Sequence, residues 1–174
     1  MSEQVEMYIS KEEIAARVKE LGVLIRDDYK DEPLVVLGTL KGSIIFMADL
    51  IRELESNITL EFIRVSSYGN STRPEDKIKF EQTYDLDIVH KNVLLIEDII
   101  DTGKTTHFLV NYLTGFRPKS LKVCTLLDKP SRREVAGILG DYTGFTLPDE
   151  FVVGYGLDYA QKYRNLPYLG ILRL

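Results

Sequence analysis

The run Glu97-Asp98-Ile99-Ile100-Asp101-Thr102-Gly103-Lys104-Thr105-Thr106 gathers carboxylates, a glycine, a lysine and threonines in one short stretch. Val93-Leu94-Leu95-Ile96 leads into it as an apolar strand, and a helical pattern follows from about Thr105. Backbone N–H groups at such a strand-to-helix turn form an anion nest, and the helix dipole favours phosphate there. Thr102, Thr105 and Thr106 can add hydroxyl donors. The turn is not a nucleoside-triphosphate P-loop, because the glycine that motif needs five positions before Gly103 is replaced by Asp98. Glu97, Asp98 and Asp101 are surplus to phosphate binding alone. They suit a ligand that also offers hydroxyls, a divalent metal or a proton, and a sugar phosphate carrying a metal-bound diphosphate offers all of these. The competing view is that they only cap and solvate a turn. Repeated carboxylates at a buried strand end are expensive without a partner, which weighs against it.

The elements that must position this run can be read from the pattern. Ser10 with Glu13 makes a capping box, and Ile14, Val18, Leu21 and Ile25 give the following helix one apolar face. Leu34-Val35-Val36-Leu37-Gly38 has the continuous apolar character of a strand buried on both faces, as do Val93 to Ile96 and Val123-Cys124-Thr125-Leu126-Leu127. After Lys41-Gly42-Ser43, a second helix is expected with Ile44, Met47, Ile51 and Leu54 on one side. Ile58 to Val65 alternates like a strand, Ser66 to Gln82 reads as a long polar loop, and Asp98 to Lys104 as a turn. The third helix presents Phe108, Leu109, Tyr112, Leu113 and Phe116 and stops before Pro118. Phe151-Val152-Val153 reads as a short fourth strand, and Tyr168 to Leu172 as the closing segment. Strands alternating with amphipathic helices predict an α/β domain with a mainly parallel twisted sheet flanked by helices. Ligands in such sheets bind beyond the carboxyl ends of the strands. That rule points to Leu40–Ser43, Glu97–Thr106, Asp128–Arg133 and the stretch after Phe151.

Composition narrows the function classes. A length of 174 residues fits one domain, residues 1–174, and a net charge of −5 disfavours nucleic acid or an anionic membrane as partner. The lone cysteine excludes an internal disulfide and suits a reducing compartment. The longest apolar runs are too short to cross a bilayer, and the polar N-terminus lacks a secretory pattern, so a cytoplasmic protein is expected. His90 and His107 are isolated from each other and from any cysteine pair, which argues against zinc.

Val93 to Thr105 resembles the phosphoribosyl pyrophosphate (PRPP) motif of the type I phosphoribosyltransferases, and most closely that of the hypoxanthine-guanine phosphoribosyltransferases. Other segments agree in order. Leu40-Lys41-Gly42-Ser43 resembles the family's pyrophosphate loop, whose Leu-Lys bond is often a cis peptide. Ser66-Ser67-Tyr68-Gly69 resembles the start of its mobile lid, about 66–82 here, so Ser67 and Tyr68 are expected lid residues. Leu126-Leu127-Asp128-Lys129-Pro130 resembles its purine-reading segment. Phe151-Val152-Val153-Gly154-Tyr155-Gly156-Leu157-Asp158-Tyr159 resembles its base-stacking and metal segment, with Arg164 shortly after. The resemblance spans roughly Leu34 to Pro167 and implies a type I fold with a small hood.

It also implies roles. Glu97 and Asp98 hold the ribose hydroxyls and the metal environment. Asp101 acts as general base at the purine N7, or holds its proton. Thr102, Gly103, Lys104, Thr105 and Thr106 cradle the 5′-phosphate, with Lys104 the weakest member. Lys41, Gly42 and Arg164 bind pyrophosphate, and Arg164's planar fork suits that anion. Lys129 donates to O6 of the base. An ammonium has only donors, so it accepts a 6-oxo group and rejects a 6-amino one. Phe151 stacks on the purine, though an aromatic at a strand end can be plain core, and the Val152 backbone meets the base's edge. Asp158 joins the metal site, and Mg²⁺ is the implied cofactor. The implied reaction is purine salvage: PRPP plus hypoxanthine or guanine gives IMP or GMP plus pyrophosphate. A non-catalytic PRPP- or nucleotide-binding regulator on the same fold is the alternative, and Asp101 with Lys129 argues against it. The family forms dimers and tetramers, so a homodimer or homotetramer is expected.

Overall fold

The computed structural model describes residues 3–54, 57–67, 78–81 and 86–173. Strand β1 (Gln4–Ile9) precedes helix α1 (Lys11–Tyr29). The Ser10 hydroxyl accepts from the Glu13 N–H at 3.2 Å, and the Glu13 carboxylate accepts from the Ser10 N–H at 2.8 Å, closing the expected capping box. Ile14, Val18, Leu21 and Ile25 are buried along α1 as their spacing predicts.

The main sheet contains β2 (Leu34–Leu40), β3 (Ile58–Ser67), β4 (Ile78–Glu81), β5 (Asn92–Ile100), β6 (Ser120–Asp128) and β7 (Tyr142–Thr146), in the order β4-β3-β2-β5-β6-β7. Five strands run parallel and β4 pairs antiparallel with β3. On one face, Leu34, Val36, Leu94 and Ile96 pack with α1 and with helix α2 (Ile44–Leu50). On the other, Val35, Leu37, Val93 and Leu95 pack with Leu109 and Leu113 of helix α3 (Lys104–Thr114). A smaller antiparallel sheet, β1-β9-β8, uses β8 (Val152–Val153) and β9 (Leu169–Arg173) and forms a hood.

Several expectations are corrected. β5 continues through Glu97 and Asp98 to Ile100, so the turn shrinks to 101–103 and both carboxylates sit on the strand. The expected fourth strand does not join the parallel sheet: β8 pairs with β9 in the hood. Of the apolar side expected for the second helix, Met47 and Leu54 are buried and Ile51 packs against the core, while Ile44 is exposed; α2 also buries Phe46 and Leu50 and ends at Leu50, short of Ile51 and Leu54. The loop expected over 66–82 does not hold at 66–67, which extend β3, or at 78–81, which form β4; residues 68–77 and 82 lie outside the described residues. The lid's Tyr68 lies outside the described residues. β1 and β7 have no counterpart in the periodicity. β1 buries only Ile9 fully and is held by its register with β9. β7 is an edge strand whose Gly144 lies against the Leu126 backbone, where a Cβ would overlap the carbonyl oxygen. No helix among the described residues is long and apolar enough to cross a membrane.

Candidate active site

The carboxyl ends of β2, β5 and β6 converge on one rim. At the end of β5, Glu97 is buried and accepts from the Thr39 hydroxyl of β2 at 2.8 Å. Its other carboxylate oxygen, Oε1, is buried without a hydrogen-bond partner. Burial and the neighbouring Asp98 raise the Glu97 pKa to about 8, against the relief that Thr39 provides. Asp98 is also raised, first by burial, while hydrogen bonds from the backbone and the charge of Arg164 oppose this. Its Oδ1 accepts from the Ile99 N–H at 3.0 Å. The carboxylate lies against Gly42, where any Cβ would overlap it. Two such carboxylates side by side form a pocket for hydroxyl donors or cationic charge.

The turn after β5 ends at Gly103, whose φ of +83° caps α3 from the left-handed region. The Thr102 hydroxyl accepts from the Lys104 N–H at 3.4 Å, and the Lys104 ammonium pairs with Glu134 at 2.8 Å. The Asp101 carboxylate is partly exposed and pairs with Arg132 Nε at 3.2 Å. The Asp101 carbonyl accepts from Arg133 Nη1 at 2.6 Å, and Arg133 Nη2 pairs with the Asp128 carboxylate.

Beyond β6, the Lys129 N–H donates to the Ile100 carbonyl at 3.0 Å, joining the two strand ends. Lys129 is buried and its ammonium donates to the Glu150 carbonyl at 2.6 Å. Val152 is buried in β8. Phe151 is not core. It is 51% exposed, its carbonyl accepts from the Leu172 N–H at 2.8 Å, and its ring meets Tyr159 edge-on at 5.7 Å between centroids.

The loop after β2 and the hood complete the rim. The Leu40–Lys41 peptide is cis. Gly42 is pressed from the hood side by Gly156, where a Cβ would overlap the Gly42 carbonyl. Arg164 donates to the Gly156 carbonyl at 2.7 Å and pairs with Asp158 at 2.6 Å. Gln161 Oε1 lies 3.4 Å from Lys41 Nζ and 3.5 Å from Arg164 Nη2.

Sequence-selected residues from Lys41 to Arg164 thus meet along one rim through Gly42–Asp98, Lys129–Ile100 and Gly156–Gly42 contacts. Thr39, Arg133 and Gln161 were missed. Thr39 ends an apolar strand, and Gln161 sits in an irregular loop with no period to mark it. Arg133 follows Arg132 in a polar stretch that looks solvated. Cys124 is buried, which raises its thiol pKa, and His107 faces Asn111 at 2.9 Å. Among the described residues, no group of His, Cys, Asp and Glu side chains forms a ready-made metal cage. Mg²⁺ usually takes one or two carboxylates plus substrate phosphates and water. The unpartnered Glu97 oxygen and the raised pKa values of Glu97 and Asp98, which a nearby cation would relieve, fit a cation arriving with its phosphate ligand.

Residues 4–160 match the model of the phosphoribosyl transferase domain. The chain is 48% identical over 167 residues to the hypoxanthine-guanine phosphoribosyltransferase of Bacillus subtilis (strain 168), covering 96% of this chain and 92% of that protein. It is 49% identical over 172 residues to the hypoxanthine phosphoribosyltransferase of Escherichia coli (strain K12), covering 98% and 96% respectively. A crystal structure of a hypoxanthine-guanine phosphoribosyltransferase from Bacillus anthracis, with a HEPES molecule in its active site, superposes with a TM-score of 0.91 at 45% identity, covering 99% of this chain and all of that one.

Proposed function

This chain belongs to the phosphoribosyl transferase domain family, and we propose on that premise that it is an enzyme of purine salvage, moving the 5-phosphoribosyl group of PRPP onto hypoxanthine or guanine. IMP or GMP and pyrophosphate are the products. The observation that carries the residue assignments is the pair of buried Glu97 and half-buried Asp98. It faces Gly42 on one side and leads into the glycine-capped start of α3 on the other.

The chemistry breaks the bond from C1′ to pyrophosphate and forms one from C1′ to N9 of the base, through a cation-like sugar. Glu97 and Asp98 accept from the ribose hydroxyls and keep negative charge near that cation. Backbone N–H groups at 102–106, with the threonine hydroxyls, hold the 5′-phosphate at the start of α3. Lys41, the Gly42 backbone and Arg164 receive the diphosphate, whose oxygens take over the position of Gln161 Oε1 between the two cations. Lys129 turns from the Glu150 carbonyl to O6 of the base, Phe151 covers the ring, and the Val152 backbone meets its edge. As N9 bonds to C1′, the N7 proton passes to Asp101 or is held by it. Glu97, Asp98 and Asp158 are the residues that would hold Mg²⁺ with the substrate. When bound, the cation neutralises the charge of the departing diphosphate.

The lid, assigned to the segment between β3 and β4 with Ser67 and Tyr68 at its start, closes over this centre in the same reading. The whole chain, 1–174, acts as one domain, in a homodimer or homotetramer. A cytoplasmic location suits its buried free thiol. No observation favours a binding-only regulator over an enzyme. The test is an initial-rate panel with PRPP, Mg²⁺ and hypoxanthine, guanine, xanthine, adenine or uracil. Pyrophosphate release is expected with hypoxanthine or guanine and not with adenine, and excess chelator should abolish it. No turnover of either 6-oxopurine would overturn the proposal.

A further inference from the structure

We propose that Arg133 is a positioning residue for the transfer step, holding the Asp101 backbone in register with the purine-reading end of β6. The inference rests on the function proposed above. Arg132 and Arg133 are sequence neighbours with different surroundings. The Arg132 side chain is 47% exposed and reaches the Asp101 carboxylate from solvent. Arg133 is only 12% exposed and reaches the Asp101 carbonyl at 2.6 Å. Its second arm pairs with Asp128, the residue before Lys129. One planar guanidinium therefore ties the residue assigned to the N7 proton to the strand end that carries the O6 reader. A fork with fixed geometry can do this, and a point-charge ammonium cannot make both bonds.

The stem of Arg133 matters as well. Its Cδ lies 2.9 Å from where a Cβ on Gly103 would stand, so the side chain runs directly beneath the turn. The next residue of that turn is tethered differently. The Thr102 carbonyl accepts from the Glu134 N–H at 2.9 Å and the Val135 N–H at 3.3 Å. Those are backbone bonds and survive any side-chain change at 133. Loss of the guanidinium thus frees Asp101 while leaving the phosphate-holding part of the turn in place. The effect should fall on the chemical step rather than on PRPP binding.

Hydrogen bonds to charged groups support a fall in kcat of about 10- to 100-fold for Arg133→Met, with the KM for PRPP within about threefold of the parent. Arg133→Lys should recover part of the loss, since it can make one of the two bonds. Arg133→Met leaves the Asp128 carboxylate buried and unpaired, so the double variant Arg133→Met/Asp128→Asn removes that charge as a control. If Asp101 has been released, the double variant keeps the low kcat. A double variant with restored kcat would overturn the proposal, because the defect would then be the bare Asp128 charge. So would an unchanged kcat in Arg133→Met, or a parallel loss of kcat, PRPP affinity and melting temperature with no recovery in Arg133→Lys. Should Arg133→Met fail to fold, Arg133→Lys and the double variant decide by the same kcat criterion. Turnover of hypoxanthine by the unaltered protein is the control that separates failure of this inference from failure of the functional assignment.

Discussion

On the sheet side of the site, Lys129, Thr39, Glu97 and Arg133 are buried or nearly so and their bonds are short, while the Asp101 carboxylate is partly exposed. Lys129 meets Glu150 at 2.6 Å, Arg133 meets Asp101 at 2.6 Å, and Thr39 meets Glu97 at 2.8 Å. On the hood side, Gln161 touches its two cations at 3.4 and 3.5 Å. The backbone there runs through left-handed positions at Tyr155, Ala160, Gln161 and Tyr163, with φ of 47°, 50°, 67° and 74°. In the turn on the sheet side, by contrast, glycine takes the single positive φ, at Gly103. Non-glycine residues in that region cost about 1–3 kcal/mol each and persist only where the surroundings hold them. The contrast divides labour. In the function proposed above, the sheet rim holds the atoms assigned to the base and to its proton. On the hood side, Arg164 is held by the Gly156 carbonyl at 2.7 Å and by Asp158 at 2.6 Å, and only the shared Gln161 contact with Lys41 is long, which is where the function proposed above seats a diphosphate.

If that division is right, substitutions on the two sides should damage different kinetic constants. The largest effect is expected at Asp101. Asp101→Asn keeps the shape and removes the proton acceptor, so kcat for hypoxanthine should fall by about 10²- to 10⁴-fold, with little change in PRPP affinity. Single-turnover rates and a PRPP dissociation constant measure both. Lost PRPP binding with intact chemistry would move Asp101 to the ligand-holding side.

Next comes Lys129→Ala. One charge-assisted hydrogen bond should be lost, reducing the preference for hypoxanthine over adenine in kcat/KM by about 10- to 150-fold. An unchanged ratio would mean that Lys129 does not read O6. On the hood side, Arg164→Lys gives up the fork that spans Gly156 and Asp158. A rise of about tenfold in the KM for PRPP, with kcat nearly constant, is expected from a single lost charge-assisted bond. A fall in kcat instead would erase the contrast.

The last effect is on stability. Glu97 has its pKa raised from 4.5 to about 8 by burial, so between those values the folded chain keeps a proton that the unfolded chain has released. The stability it contributes is present at low pH and declines as pH rises through that window. The melting temperature of the ligand-free protein should drop by roughly ten degrees from pH 5 to pH 8, and Glu97→Gln should flatten this slope. An identical slope in the variant would assign the titration elsewhere.

The same contrast explains what could be read without coordinates. On the sheet side, burial and periodicity coincide. Val93 to Ile96 is apolar because both faces are covered, and that run points straight at Glu97. The helix faces of α1 and α3 follow from the same rule. In the hood, position is set by pairing between distant segments. β1 is mostly exposed and takes its place from its register with β9, so its sequence carries no alternation to detect. Val152 and Val153 look like any buried strand, and nothing local says which sheet they join. Arg133 was illegible for a different reason. A charged residue in a polar run announces solvent, and only the partners at Asp101 and Asp128 reveal that it points inward.

The hood's pairing of residues 4–9 with residues 169–173 has a bearing on how the protein comes off the ribosome. The main sheet uses strands between Leu34 and Thr146 and can assemble while synthesis continues. The hood has to wait for Arg173 to leave the exit tunnel, and β1 stays without its partner strand until then. A nascent chain can therefore close its parallel sheet, with the Gly103-capped turn, before residues 169–173 pair with residues 4–9, so a product cut short of β9 has one sheet without the other.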